Sequence, residues 1–167
     1  MITNNLKGQV LSKQLFSVDD ARQHARKRLP RMMFDFIDGS SGDETLCGLN
    51  SAAIDEIRLM PRVLVDVSDR SLSSSILGLE TGLPFGIAPM GMCGLAWPGA
   101  DRALAIEAAR RRMPLCVSTA SSMTLEQINE IAEGNAWFQL YADQSSDFVN
   151  ELVDRAAAAG YEVLILT

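Results

Sequence analysis

With 167 residues, 47% hydrophobic and 22% charged, the chain is long enough for one domain of ordinary size and too apolar to be disordered, fibrous or low in complexity. Fifteen Lys and Arg against 21 Asp and Glu give a net charge of -6, a field that repels polyanions and excludes nucleic acid as a partner. Cys47, Cys93 and Cys116 are odd in number and form no CxxC pair, so neither a disulfide framework nor a metal site is expected, as in a reducing compartment.

The opening ten residues lack the charged-then-apolar order of a secretion signal. Ser17-Val-Asp-Asp20 reads as a capping box, so a helix is predicted from there to Arg28. Pro30 interrupts it. Met32, Met33, Phe36 and Ile37 then recur at three- and four-residue spacing and predict a second helix with an apolar stripe, which Gly39-Ser-Ser-Gly42 ends. Residues 43–54 read as a third helix. The basic cluster Arg22, Arg26, Lys27, Arg28 and Arg31 reads as a solvated helix face in preference to an anion site or a membrane contact, and His24 among them as solvent-exposed.

Residues 57–80 hold short β-prone pieces. Residues 81–100 carry no charge, yet Gly82, Pro84, Gly86, Pro89, Gly91, Gly94, Pro98 and Gly99 preclude a membrane helix, leaving a strand followed by a long turn. A regular alternation then begins. Apolar strands are predicted at 85–88, 115–118, 136–141 and 162–167, separated by helices at about 99–112, 124–133 and 145–159. Each strand is continuously apolar, as buried parallel strands are, and successive strands start one βα unit apart.

This order fits an open doubly wound sheet or part of a (β/α)8 barrel. Neither GxGxxG nor GxxxxGK[ST] occurs, which favours the barrel. The division is then residues 1–84, a helical segment with short β pieces, and residues 85–167, the first half of a TIM barrel of about four strands. The chain reads as truncated, because a whole barrel takes about 250 residues. Open strand edges predict association or aggregation of the chain alone.

In a parallel barrel the chemistry sits at the C-terminal strand ends. Those ends carry Pro89-Met90-Gly91, Ser118 to Ser121, Gln139 to Tyr141 and Thr167. Hydroxyls and amides following apolar runs suit a neutral, hydrogen-bonding ligand such as a heterocycle. Singly, Ser118 and Ser121 read as turn or capping residues, Tyr141 as a packing residue with its hydroxyl at the rim, and Asp143 and Asp147 as turn and capping residues. No general base stands at a strand end.

Leu29-Pro-Arg-Met-Met-Phe-Asp-Phe-Ile-Asp-Gly39 with Asp43-Glu44 resembles the N-terminal segment of the FMN-dependent α-hydroxy-acid dehydrogenases and oxidases, which include mandelate and lactate dehydrogenases and glycolate oxidase. Pro61-Arg-Val-Leu-Val-Asp-Val67, Gly86-Ile-Ala-Pro-Met-Gly91, Leu95-Ala-Trp-Pro98, Ser118-Thr-Ala-Ser121 and Trp137-Phe-Gln-Leu-Tyr141 continue the resemblance in order, from Phe16 to Thr167. It implies a TIM barrel that oxidises an L-2-hydroxy acid to a 2-oxo acid through FMN, passing electrons to oxygen, a quinone or a cytochrome. It further implies a homo-oligomer, cytoplasmic or peripheral to the inner membrane. By resemblance, Pro89, Met90 and Gly91 would lie beside the flavin, Ser118, Gln139 and Thr167 would hydrogen-bond its ring, and Tyr141 would face the substrate.

Two positions depart from the family pattern. Phe36 stands where a substrate-binding Tyr is usual, and Met90 where Thr is common. The family's catalytic His base, flavin-contacting Lys, carboxylate-binding Arg residues and phosphate loops match positions beyond Thr167, so no catalytic residue is assigned in this chain. Alternatives are a non-enzymatic half-barrel remnant, or another FMN barrel such as a type 2 isopentenyl-diphosphate isomerase, against which the Phe34-Asp-Phe-Ile-Asp-Gly39 run argues.

Overall fold

A computed structural model describes residues 15–142 and 146–167, in two compact units that divide after Pro61. The expectations for the opening ten residues, Asp143 and a helix start at Ser145 lie outside the described residues.

The first unit is helical. Helix α1 (Val18–Arg28) starts on the predicted capping box: the Asp20 N–H donates to Ser17 Oγ at 3.1 Å, and Asp20 Oδ2 accepts the Ser17 N–H at 3.1 Å. Helix α2 (Arg31–Asp38) follows Pro30, whose fixed φ suits a helix start. Arg22 Nε, on α1, meets Asp38 Oδ1 at 2.5 Å, and the guanidinium holds that carboxyl below the usual range. Arg26, Lys27 and Arg28 are solvated as expected, but His24 is half-buried. The apolar stripe is also corrected. Phe34 is the buried residue of α2, whereas Met32, Phe36 and Ile37 are more than half exposed, because Phe34 sits with Arg22, Gln23 and Arg26 of α1 and the stripe points elsewhere on the helix. Helix α3 (Thr45–Asp55) begins two residues later than predicted, since Glu44 is left-handed (φ 64°).

In the second unit, the β-prone stretch yields one antiparallel hairpin, β1 (Ser74–Ile76) with β2 (Leu79–Thr81), turned by Leu77 and Gly78 at positive φ. The predicted strand at 85–88 is reduced to a single parallel bridge, Ile87 to Leu115. Pro84 and Pro89 bracket it and supply no N–H donors. Gly86 permits the close approach, since a Cβ there would meet the Pro114 carbonyl oxygen at 2.6 Å. The following turn contains a short helix, α4 (Cys93–Ala96).

Thereafter the alternation holds: α5 (Ala100–Arg111), β3 (Leu115–Ser118), α6 (Leu125–Ile131), β4 (Ala136–Leu140), α7 (Ser146–Ala158) and β5 (Leu164–Leu166). The three strands form one parallel sheet in sequence order. One face packs on helices. Ala105 and Ala108, fully buried, let α5 approach Leu115 and Val117 of β3, with Ile128 and Ala132 beside them. Phe138 and Leu140 of β4 pack against Leu125, Leu152 and Ala156, and Phe138 meets Tyr161 edge-to-face at 5.9 Å. Burial pushes the Tyr161 hydroxyl's pKa up, and it donates to the Leu125 carbonyl at 2.7 Å.

β5 differs from the buried strand expected: Leu164 is 50% and Leu166 69% exposed. It is the edge strand of the parallel sheet. No helix among the described residues is long and apolar enough to cross a membrane.

Phe138→Ala removes the largest fully buried side chain and should destabilise the second unit by about 3–5 kcal/mol. Urea unfolding followed by circular dichroism reads this as a fall in midpoint with the slope unchanged.

Candidate functional site

Side chains alternate along a strand, and parallel neighbours in register share a face. Leu115 and Val117 occupy the helix side of β3, so Cys116 and Ser118 occupy the opposite face. Cys116 pairs with Trp137, Ser118 with Gln139, and Gln139 with Ile165. This face therefore ends in polar residues, Ser118 and Gln139, with Thr167 just past β5, where its N–H donates to the Leu140 carbonyl at 3.2 Å.

The Gln139 amide is the centre of this rim. It is 2% exposed, its Nε2 donates to Thr167 Oγ1 at 2.6 Å, and its Oε1 accepts the Thr119 N–H at 3.3 Å. Thr119 Oγ1 donates to the Gln139 carbonyl at 2.6 Å and accepts the Tyr141 N–H at 3.2 Å. Ser118 Oγ accepts the Ala120 N–H at 3.1 Å, and Ser121 Oγ the Met123 N–H at 3.3 Å, so both serines do serve turns as their sequence context indicates.

The loop after Ile87 joins the same end. Met92 N–H donates to the Ala120 carbonyl at 2.8 Å and Gly94 N–H to Ser122 Oγ at 2.9 Å. Gly91 lies so close that a Cβ there would stand 3.3 Å from Ala120 Cβ and 3.7 Å from Ser118 Oγ. Pro89, Met90, Gly91, Ser118, Gln139 and Thr167 thus gather at one end of the sheet. Tyr141 stands beside them, 55% exposed. Phe36 belongs to the other unit, on α2, exposed. Thr119 was not singled out from the sequence. Its signal was a hydroxyl directly after an apolar strand, indistinguishable there from a turn residue.

The donor set is neutral. The second Nε2 hydrogen of Gln139 and the hydroxyl hydrogens of Ser118 and Thr167 have no protein acceptor among the described residues. Such a set matches the carbonyl and ring-nitrogen acceptors of an isoalloxazine. Met90, Ser118, Gln139, Tyr141 and Thr167 include no cation, so this rim fits a flavin ring and not its phosphate. The cavity lined by Met90, Cys93, Asp101, Cys116 and Ser118 measures about 10 Å³, room for about one water, so a ring would lie on the rim and not within.

The family model for FMN-dependent dehydrogenases matches residues 25–167. The chain belongs to the FMN-dependent dehydrogenase family. It is 38% identical over 157 residues to (S)-mandelate dehydrogenase of Pseudomonas putida, covering 94% of this chain and 40% of that protein. It is 39% identical over 149 residues to L-lactate oxidase of a Nostoc species, covering 87% of this chain and 41% of the relative. Among solved structures, the monotopic membrane protein (S)-mandelate dehydrogenase superposes with a TM-score of 0.84 at 38% identity, over 92% of this chain and 41% of that one. A mandelate oxidase superposes at 0.83 and 33%, over 92% and 44%. The chain thus spans less than half the length of these relatives and carries the N-terminal part of their (β/α)8 barrel. The family's cofactor is FMN.

Desolvation, with the Asp101 carboxylate, pushes the Cys93 thiol pKa up, and burial does the same to Cys116. A raised pKa means less thiolate at a given pH. Alkylation by iodoacetamide at pH 8 should label exposed Cys47 first, with Cys93 and Cys116 lagging until the pH exceeds the ordinary thiol range. Asp101→Asn should speed labelling of Cys93 alone, read by peptide mass spectrometry.

Proposed function

We propose that this chain forms the ring-binding half of an enzyme that oxidises an L-2-hydroxy acid to a 2-oxo acid with FMN. The observation that carries this is the gathering of Ser118, Gln139 and Thr167, all uncharged and with unused hydrogens, at one sheet end beside the Pro89-Met90-Gly91 loop. The substrate sense follows from relatives named for (S)-mandelate and L-lactate, which share one configuration at the hydroxyl-bearing carbon. Residues 85–167 are the first half of the barrel domain in this reading, with residues 1–84 preceding it. The cytoplasm or a membrane surface suits it as a location, in line with a membrane-associated relative.

When bound, FMN accepts the two electrons that leave the substrate's C–H bond. The protein's part is positional. Gln139 and Thr167 would hold the ring edge, Ser118 would add a hydroxyl from β3, and the Pro89-Met90-Gly91 backbone would flank it. Tyr141, exposed beside the rim, presents its hydroxyl to the substrate. Phe36 has no hydroxyl to offer a carboxylate and contributes only an apolar ring. The hydroxyl proton needs a base, and the single histidine, His24, sits on α1 among arginines. Among the described residues no histidine stands at the rim to take that proton, and we assign this chain no turnover alone. Oxygen, a quinone or a cytochrome would take the electrons onward.

FMN titrated into the purified chain, followed by quenching of flavin fluorescence, should bind weakly enough to be lost on dialysis. Gln139→Leu should weaken it roughly tenfold further, as losing one or two buried hydrogen bonds does. Equal affinity for wild type and variant would overturn the rim assignment. A chain that stays yellow through dialysis and bleaches with L-lactate or (S)-mandelate would show that it carries its own phosphate grip and base.

A further inference from the structure

We infer that Thr119 is a positioning residue: its backbone N–H and its hydroxyl together fix the Gln139 amide and the backbone at Tyr141, so one residue sets both the ring contact and the substrate-facing residue. What is positioned rests on the flavin reading above; the hydrogen bonds themselves do not.

A glutamine amide has two near-isosteric orientations that differ only in their hydrogen bonds. At Gln139 the choice is made by Thr119. Its N–H points at Oε1 from 3.3 Å, which leaves Nε2 turned to Thr167 Oγ1 at 2.6 Å. The flipped amide would set an NH2 donor against the Thr119 N–H donor, leaving two hydrogens facing each other at a site where Gln139 is 2% exposed. The NH2 is therefore held toward the rim, with its second hydrogen free for a ligand.

The hydroxyl extends the same control to the neighbouring strand end. β4 stops at Leu140, and the next N–H, that of Tyr141, goes to Thr119 Oγ1 at 3.2 Å. The same oxygen donates its own hydrogen to the Gln139 carbonyl at 2.6 Å. Donor and acceptor capacities of this one hydroxyl are both used, on two residues one position apart from Leu140. Tyr141 is 55% exposed, so its side chain is unburied while its backbone is tied. Serine reproduces this pattern. Valine keeps the shape of threonine and removes both bonds.

The test is hydrogen exchange resolved to single residues by mass spectrometry on the full chain, its Thr119→Val variant and its Thr119→Ser variant, with an FMN titration of each. Thr119→Val should speed exchange at the Tyr141 N–H about tenfold, the protection one ordinary hydrogen bond confers, while Val117 and Phe138 keep theirs. It should also weaken FMN quenching, because the Gln139 backbone carbonyl loses the Thr119 hydroxyl that anchors it, and Thr119→Ser should restore both. Unchanged exchange at Tyr141 in Thr119→Val, or equal deficits in the two variants, would overturn the inference. If Thr119→Val also loses protection at Phe138, Thr119→Ser decides: retained protection at Tyr141 supports the role and lost protection overturns it. Wild-type chain that leaves FMN fluorescence unquenched would sink the flavin reading while the exchange result still judged Thr119.

Discussion

The in-register parallel pairing of β3, β4 and β5 is the constraint from which the rest follows. Because Ser118 stands opposite Gln139, and Gln139 opposite Ile165, Ser118 and Gln139 share one face and one level, with Thr167 on the same face two positions beyond Ile165. A one-residue shift of β4 against β3 would turn Gln139 toward the helices, where Phe138 and Leu140 now pack, and bury an amide in an apolar layer. The hydrophobic packing of α5, α6 and α7 therefore does more than stabilise. It selects the register that brings the hydroxyls and the amide together.

That division of labour between the two faces explains the composition of the strands. Leu115, Val117, Phe138 and Leu140 serve the helix side, and Cys116, Ser118, Trp137 and Gln139 the other. Polar residues appear on the second face only at the C-terminal end, where a ligand can use their spare hydrogens. Gln139 is costly to bury, and its cost is offset by Thr119 and Thr167, which together engage both ends of the amide.

Much of this was legible before any coordinates. The capping box at Ser17, the helix ending near Arg111, the strand at Leu115–Ser118 and the strand starting at Ala136 follow from local chemistry and apolar runs. What failed had both local and distant causes. The first barrel strand shrank to the Ile87 bridge because two prolines bracket it, and the α2 stripe proved exposed because burial on that helix belongs to Phe34. β5 read as buried since its residues are apolar, yet burial of an edge strand is set by what packs on it. At the site, the residue types and the resemblance pointed to Ser118, Gln139 and Thr167. Thr119 stayed hidden, since its role lies in bonds to residues 20 and 22 positions away.

The most direct measurement is a crystal structure of the protein carrying this chain with FMN present. The isoalloxazine should lie across the strand ends, with Gln139 Nε2, Ser118 Oγ and Thr167 Oγ1 at hydrogen-bond distance from its ring heteroatoms and the Pro89-Met90-Gly91 backbone alongside. A flavin bound elsewhere, with these three side chains bonded only to one another or to solvent, would contradict the assignment of this rim.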